Sequence, residues 1–322
     1  MNQRVLNNLR DIPSMGNIYY VFNTANTYYS AFKALVDQTY SDGTQAFHTT
    51  IESAYAAVTS GRNDVILFDA NTSHTLAAML TVTKSRVNFI GMDGGGRRNS
   101  QGAKLQIAAA DVAAAVAVIK NQGVRNSFRN IKFIQNGTNS AQLHTFIDEG
   151  EGTYVENCSF SHDSLLSTAG VTSLLFAGDT CHYKNCQIGT STVYRTGAAQ
   201  YQLKLGNSGT AYARYSYFEN CTVVGYSSQT SAACVGTTGA AHVIGWVEFR
   251  DCSFINAHLG DGATAGGSFA AAVVSALSSG YILLGGCHSY GATLIASTHA
   301  SVVNSGPASA TTAGGGLGVA GA

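Results

Sequence analysis

Five cysteines recur in nearly the same local setting, and thiols so spaced could bind a metal, form disulfides or take part in redox chemistry. The anchors are Cys158, Cys186, Cys221, Cys252 and Cys287. Zinc needs four Cys or His ligands that converge, commonly as CxxC-like pairs, whereas each recurrence supplies one thiol. Parallel side chains in a column give poor torsion geometry for disulfides. We therefore predict a buried column of reduced cysteines.

The densest acidic group is HTFIDEGEG, where Asp148, Glu149 and Glu151 crowd a glycine-bounded turn. Oxygen-rich turns can hold Ca²⁺, and a pair of carboxylates can cleave a glycosidic bond. No second carboxylate cluster stands at the equivalent place of a neighbouring repeat. We predict a solvated loop here, and we predict no catalytic, metal-binding or cofactor-binding residue in the chain.

The segment GMDGGGRRNS, residues 91–100, could cradle a phosphate with its glycines and with Arg97 and Arg98. It lacks the Lys-Ser/Thr ending and the following helix of a P-loop. We interpret it as a loop that leaves an early coil, with the two arginines available for an acidic patch on a neighbouring molecule.

Histidines and tyrosines are the remaining side chains that could do chemistry. No histidine lies in a recognisable triad motif with Ser or Cys and a carboxylate; those considered are His144, His162, His182 and His242. Four tyrosines could form either a carbohydrate-stacking strip on an outer wall or ordinary packing: Tyr201, Tyr212, Tyr215 and Tyr217. We favour packing.

The cysteines belong to an internal repeat with a spacing of roughly 27 to 35 residues, within the range of stacked-repeat folds. A sixth copy carries Ile131 at the anchor. Three residues before each anchor stand Phe128, Val155, Tyr183, Phe218, Phe249 and Leu284. Two residues after it stand Phe133, Phe160, Ile188, Val223, Phe254 and Ser289. Directly before it stand Asn130, Asn157, Asn185, Asn220, Asp251 and Gly286, all types that tolerate left-handed backbone.

Each copy therefore reads as a short strand, a sharp bend and a second strand, with loops of variable length between copies. This pattern predicts an all-β, single-stranded parallel β-helix, a solenoid whose coils stack about 4.8 Å apart. The anchors should point inward, and the asparagine amides should hydrogen-bond along the axis.

The two ends need other elements, because an uncovered first coil would expose core and unpaired backbone. A capping-type start at Ser41–Thr44 and apolar residues at helical spacing predict a short N-terminal capping helix over about 44–59. We assign 1–15 to an N-terminal arm, 16–300 to the β-helix domain and 301–322 to a low-complexity C-terminal tail.

Charge and composition restrict the partners. Eighteen basic residues balance eighteen acidic ones, so no long-range field would gather nucleic acid or anionic lipid. The N-terminal residues lack the apolar core of a signal peptide, and no run is apolar enough to span a membrane. We expect synthesis in a host cytoplasm, no nucleic-acid partner and no membrane contact.

The order of IYYVF, SDGTQAFHTTIESAYAAV, DVILFDA, LTVTKSRVNFIGM and the NCxF or NCxV coils resembles the right-handed parallel β-helix proteins of tailed bacteriophages, which have a pectate-lyase-like fold. The likeness covers about residues 16–290. It implies a structural protein of the virion, such as a head decoration protein. The strings NTD, DD, GHG and RIK of the related galacturonases are missing, which argues against an enzyme.

Our expectation is a non-enzymatic decoration or stabilising protein that binds the lattice of the major capsid protein on the virion surface. The resemblance implies self-association, with a homotrimer expected from the three-fold positions of icosahedral shells. The alternative is a tailspike or receptor-binding β-helix protein that recognises or cleaves host polysaccharide.

Overall fold

The computed structural model describes residues 16–70, 72–93, 102–107, 116–164, 168–197, 199–206, 211–237, 239–258, 269–297 and 299–304. These ranges contain two α-helices, α1 (Tyr29–Val36) and α2 (Ile51–Ala57). Neither helix in the described ranges is long and apolar enough to cross a membrane.

The rest of the regular structure is strand. In chain order the strands are β1 (Ile18–Val21), β2 (Phe47–His48), β3 (Val65–Phe68), β4 (Ser73–Leu76), β5 (Leu80–Val82), β6 (Asn88–Gly91), β7 (Lys104–Ile107), β8 (Ile119–Asn121), β9 (Ser127–Arg129), β10 (Lys132–Gln135), β11 (His144–Asp148), β12 (Tyr154–Glu156), β13 (Ser159–His162), β14 (Thr172–Phe176), β15 (His182–Lys184), β16 (Gln187–Gly189), β17 (Tyr201–Leu205), β18 (Ala213–Glu219), β19 (Thr222–Gly225), β20 (Ala233–Gly236), β21 (Val243–Arg250), β22 (Ser253–Asn256), β23 (Phe269–Val274), β24 (Tyr281–Gly285), β25 (His288–Tyr290), β26 (Ala292–Ala296) and β27 (Val302–Asn304).

These strands form three parallel sheets. Sheet 1 has eleven strands in the order β2-β1-β3-β6-β9-β12-β15-β18-β21-β24-β27. Sheet 2 has eight, from β4 through β7, β10, β13, β16, β19 and β22 to β25, and sheet 3 has eight, from β5 through β8, β11, β14, β17, β20 and β23 to β26. One coil takes one strand from each sheet in turn. The predicted fold, a right-handed parallel β-helix, is confirmed.

The bend from sheet 1 to sheet 2 lies at the residue that precedes each anchor. The backbone there is left-handed, with φ of 59° at Asn130, 53° at Asn157, 54° at Asn185, 51° at Asn220, 53° at Asp251 and 64° at Gly286. The side-chain amides stack as predicted, because Asn157 Nδ2 donates to Asn130 Oδ1 (3.4 Å) and Asn220 Nδ2 donates to Asn185 Oδ1 (2.8 Å). Short polar side chains tolerate this backbone, which lets the chain turn within two residues.

The interior consists of rows of equivalent side chains, one from each coil. In sheet 1, Phe218 pairs in register with Tyr183 on one side and with Phe249 on the other. Its ring lies 4.8 Å from that of Tyr183 and 4.9 Å from that of Phe249, both stacked. These distances match the spacing between neighbouring strands, so rings on successive coils stack face to face.

Helix α2 closes the first coils, but it is shorter than predicted. It begins at Ile51 and not near residue 44, because the Thr50 side chain caps it by accepting a hydrogen bond from the Ser53 amide (3.2 Å). Ile51, Ala54 and Tyr55 pack into the core. The expected helical residue Phe47 lies in β2 instead.

A second apolar cluster lies beside this cap and includes helix α1, which was not predicted from the sequence. The Phe32 ring of α1 stacks on Phe22 with 3.9 Å between ring centroids, and Tyr29 packs edge-on against Phe47. This cluster covers the outer side of the first strands of sheet 1.

At the other end the β-helix continues to Asn304, past the predicted boundary at residue 300. Ile282, Leu283 and Leu284 of β24 pair with the three residues of β27. Residues 301–304, which were assigned to the tail, are therefore part of the β-helix. The assigned arm, 1–15, and residues 305–322 lie outside the described residues.

Candidate functional site

The cysteine column lies inside the tube. The carbonyl oxygens of Ile131, Cys158, Cys186, Cys221 and Cys252 each accept an amide hydrogen bond from the following coil, at 2.9, 2.9, 2.9, 2.9 and 3.1 Å. All seven cysteines are free, and Cys287, in the last anchor position, is the one that is not fully buried. Burial raises the pKa of the Cys158 thiol to about 12, so its reactive thiolate does not form at neutral pH. The prediction of a buried column is confirmed.

The acidic turn does not form a single site. Asp148 has no exposed surface, which corrects the prediction of a solvated loop at this residue. Glu149 pairs with Lys120 at 2.9 Å, and Glu151 is exposed. Among the described residues no group of three or more His, Cys, Asp or Glu side chains could hold a metal ion.

Asp148 is held by four donors inside the tube. Its Oδ1 accepts from Asn121 Nδ2 (2.8 Å), the Gly150 amide (3.0 Å) and Thr153 Oγ1 (3.1 Å), and its Oδ2 accepts from the Tyr183 hydroxyl (2.6 Å). Burial raises the pKa of this carboxyl in spite of these hydrogen bonds. The arrangement ties together three successive coils and leaves no space for a substrate.

His144 and His162 are buried. His162 Nε2 lies 2.8 Å from the Gln142 carbonyl oxygen, so it carries the proton. Burial lowers the pKa of both His144 and His162 to about 3. The positive charges of Lys204 beside His144 and of Arg195 beside His162 act in the same direction. Both imidazoles are therefore neutral packing groups over the ordinary pH range.

His182 and His242 also have no Ser or Cys nucleophile among their contacts in the described residues. His182 Nε2 is 3.0 Å from Glu219 Oε2 on the outer face of sheet 1, and His242 is buried with a pKa lowered by burial. His74, which was not identified from the sequence, has its Nε2 2.7 Å from Asp69 Oδ1 in a buried pair.

The glycine-rich segment cannot be placed as a site. Gly91 ends β6, whereas 94–100, with Arg97 and Arg98, lies outside the described residues.

Only part of the proposed tyrosine strip exists. Tyr201 is buried in β17 of sheet 3, where its ring covers Gly236. Tyr215 and Tyr217 lie on β18 of sheet 1 with 44% and 39% of their surfaces exposed, and Tyr212 precedes that strand. The exposed tyrosines are therefore on the outer face of sheet 1.

There they belong to a row of rings from four successive coils, which we call the aromatic ledge. Its members are Tyr154, His182, Tyr215, Tyr217 and Trp246. Ring centroids are 5.6 Å apart for Tyr154 and His182, 6.2 Å for His182 and Tyr217, 4.8 Å for Tyr217 and Trp246, and 6.0 Å for Tyr215 and Trp246, all in edge-to-face contact. Trp246, the only tryptophan of the chain, was not identified from the sequence.

A β-bulge sets the position of Trp246. Between Arg214 and Ser216 the pairing of β18 with β21 shifts by one residue. Tyr215 has a φ of 41° and Gly245 a φ of 75°. A Cβ on Gly245 would lie 2.3 Å from the Tyr215 ring, so only glycine lets that ring lie against the backbone here.

A row of alternating charges runs alongside the ledge, and we call it the charge ladder. In register order it consists of Arg129, Glu156, Lys184, Glu219 and Arg250. Lys184 Nζ lies 3.2 Å from Glu219 Oε1, and Arg250 pairs with Glu248 at 2.7 Å. Hydrogen bonds from Lys184 and His182 lower the pKa of Glu219, which keeps it ionised.

A surface pocket of about 240 Å³ lies where the ledge meets the ladder, lined by His182, Tyr217, Glu219 and Arg250. Arg250 lies 5.9 Å from the Tyr217 ring centre, and Arg129 lies 5.1 Å from that of Tyr154. The pocket offers ring faces and polar groups side by side on an open sheet. Such a surface has the groups needed to bind a ligand.

Comparison with known proteins gives the fold. No family model and no curated protein sequence matches the chain. The crystal structure of the pectate lyase Pel9A aligns with a TM-score of 0.55 at 16% identity over 84% of this chain, which spans 62% of the length of that enzyme's chain. The pectin methylesterase from Aspergillus niger gives a TM-score of 0.54 at 16% identity, covering 92% of this chain and 87% of its own.

What these proteins share is the fold. The pectate-lyase-like right-handed parallel β-helix carries several chemistries, so activity must be argued from a site. A protein of Geobacillus virus E2, ORF18, also matches, with a TM-score of 0.32 at 12% identity over 79% of this chain and 56% of its own. That likeness is too low to support an argument about function.

Proposed function

We propose that this chain is a non-enzymatic structural protein of a tailed-phage virion, a decoration or stabilising protein on the capsid surface. The observation that carries the non-enzymatic part is the burial of Asp148, whose carboxylate is occupied by four internal donors. The acidic turn was the best candidate for glycosidic or Ca²⁺ chemistry in the sequence. Its buried member instead stabilises the wall of the tube.

Several features suit a surface component of an assembly. The chain has no net charge, so it would not compete for the packaged nucleic acid. Its coils pack through continuous rows, which makes a stiff unit that many copies could present over a lattice. We propose the major capsid protein as the partner, because repeated weak contacts over a shell give high avidity. We propose a homotrimer as the bound form, because icosahedral shells offer three-fold positions.

Labelling of intact particles tests this location. Antibody raised against the purified chain, followed by gold labelling and electron microscopy, is expected to mark the capsid surface. Labelling confined to the tail would overturn the capsid role. Particles that lack the protein should have less stable capsids in low-salt buffer, but their tails should remain intact.

The second candidate is a tailspike or receptor-binding protein that recognises or cleaves host polysaccharide. The aromatic ledge favours recognition, since exposed rings in a row are suited to flat, hydroxyl-rich ligands. Cleavage has less support. Three acids were proposed for it, but Asp148 is buried and Glu149 is paired with Lys120. If the chain releases reducing ends from polysaccharide and the Glu151→Ala variant does not, the enzymatic hypothesis would be established.

A further inference from the structure

We propose that the aromatic ledge and the charge ladder together form a binding site for an uncharged oligosaccharide. This inference names the ligand class for the carbohydrate-recognising candidate. It does not depend on the capsid location, because a protein at either end of a virion could carry the site.

The exposed rings have no role in the core. Tyr217 and Phe218 are neighbours on β18, yet Phe218 is fully buried between two stacked rings whereas Tyr217 keeps 39% of its surface exposed. Tyr281 of β24, in register with Trp246, is 53% exposed. The ledge therefore continues as apolar ring surface on the outside of the sheet, where water contact is unfavourable unless a ligand covers it.

The bulge provides an independent observation. A left-handed backbone is costly for a bulky residue such as Tyr215, and such outliers concentrate at binding sites. The neighbouring pairings of β15 with β18 and of β21 with β24 show no register shift. The irregularity is thus confined to the point where Tyr215, Tyr217 and Trp246 meet.

The charges select the class of ligand. Arg129, Lys184 and Arg250 are balanced by Glu156, Glu219 and Glu248, so the surface has no net attraction for a polyanion. The paired side chains, Lys184 with Glu219 and Arg250 with Glu248, can still exchange hydrogen bonds with hydroxyl groups. A hydroxyl-rich ligand with one apolar face therefore suits the ladder and the rings at once.

A second copy of the chain is a less suitable occupant. A protein partner would have to remove water from several ion pairs at once, and desolvation of charges can exceed the attraction between them.

The experiment uses the full chain and its single tryptophan. Because Trp246 lies within the proposed site, its fluorescence reports on the site directly. The probes are maltoheptaose, cellohexaose and mannohexaose, with oligogalacturonate as the anionic comparison. We expect at least one neutral probe to change the emission in a saturable way and to bind more tightly than oligogalacturonate.

Matched variants locate the site. Tyr217→Ala should weaken binding of the responsive probe about tenfold or more, whereas Tyr290→Ala, a half-exposed tyrosine on β25 of sheet 2, should leave it unchanged. Trp246→Phe, followed by calorimetry, should retain most of the affinity because a ring remains. Circular dichroism and melting temperature check that each variant folds.

Three results would overturn the inference: no saturable response to any neutral probe, preference for oligogalacturonate, or equal weakening by Tyr217→Ala and Tyr290→Ala. A change of oligomeric state in Tyr217→Ala, seen by analytical ultracentrifugation without glycan binding, would instead assign the ledge to contact between copies. Particle labelling is unaffected by all of these results, so failure here is distinguishable from failure of the capsid role.

Discussion

The two faces of sheet 1 are built from the same strands, yet they follow different rules. Inward positions repeat one type of side chain on successive coils, as Tyr183, Phe218 and Phe249 do. Outward positions on the same strands change from coil to coil, with His182, Tyr217 and Glu248 in one register row. Close packing restricts the inner row to side chains that stack, whereas water accepts any polar or half-exposed group on the outer row. Stability is therefore expected from the inner row and recognition from the outer one.

The largest effect is expected from truncation of an inner ring. Phe218→Ala should destabilise the protein by about 3–5 kcal/mol, because it leaves a cavity between two stacked rings. Tyr217→Ala, one residue away, should cost about 1 kcal/mol or less. Denaturant unfolding of both variants measures the difference, and similar losses would contradict the separation of the two faces.

A comparable effect is expected for the internal carboxylate. Asp148→Ala leaves four buried donors without their acceptor and should cost about 3–5 kcal/mol. Glu151→Ala, from the same turn but exposed, should change stability by about 0.5 kcal/mol or less. Thermal unfolding of the two variants provides the measurement. A mild effect of Asp148→Ala would show that the network is dispensable.

Acidification should destabilise the protein through its buried histidines. The pKa of His162 is about 3 in the folded chain and about 6.5 when unfolded, so the unfolded state takes up the proton first as pH falls. This contribution to stability is full above about pH 6.5 and is lost as pH falls towards 3; at pH 5 the loss amounts to about 2 kcal/mol for each such histidine. His144 should act in the same direction.

The melting temperature measured from pH 8 to pH 4 tests this, with His162→Gln as the comparison. The variant should show a flatter decline over the same range. An unchanged slope would mean that carboxylates alone control acid stability.

The smallest effect is expected at the bend. Asn185→Ala places a residue that does not favour left-handed backbone at this position and removes the acceptor of the Asn220 amide, which should cost about 1–2 kcal/mol. Asn185→Gly keeps the backbone preference and should cost less. Both variants lose the side-chain amide, so the order of their unfolding midpoints reports on the backbone alone. A lower midpoint for Asn185→Gly would contradict the backbone preference proposed for the bend.

The sequence predicts the inner face well because few types of side chain can pack in the interior of the coils. The spacing that places Phe218 and Cys221 inward recurs on every coil, and the asparagine bends have one favourable backbone. Tyr154, His182 and Tyr217 each stand four residues before an anchor, so the repeat places them in one outer row. Part of the ledge could therefore have been found from the sequence. The position of Trp246 could not, because the bulge shifts the register there by one residue.

Other misassignments arose where tertiary contacts override local pattern. Phe47 has helical spacing relative to Ile51, yet it pairs with β1 because its ring packs against Tyr29 of a helix that local signals did not reveal. Asp148 stands among polar residues that suggest a loop, but it lies at the end of β11 and faces donors contributed by neighbouring coils. Such long-range partners are not visible in the local sequence.

The stacking of coils also determines how the molecule would respond to mechanical load. Hydrogen bonds between coils run along the axis of the tube, as from the Thr222 amide to the Cys186 carbonyl. A pull applied between the two ends would stretch these bonds lengthwise and detach one layer before the next. Extension in an optical trap would then occur in discrete steps, and each step would release one coil of the chain.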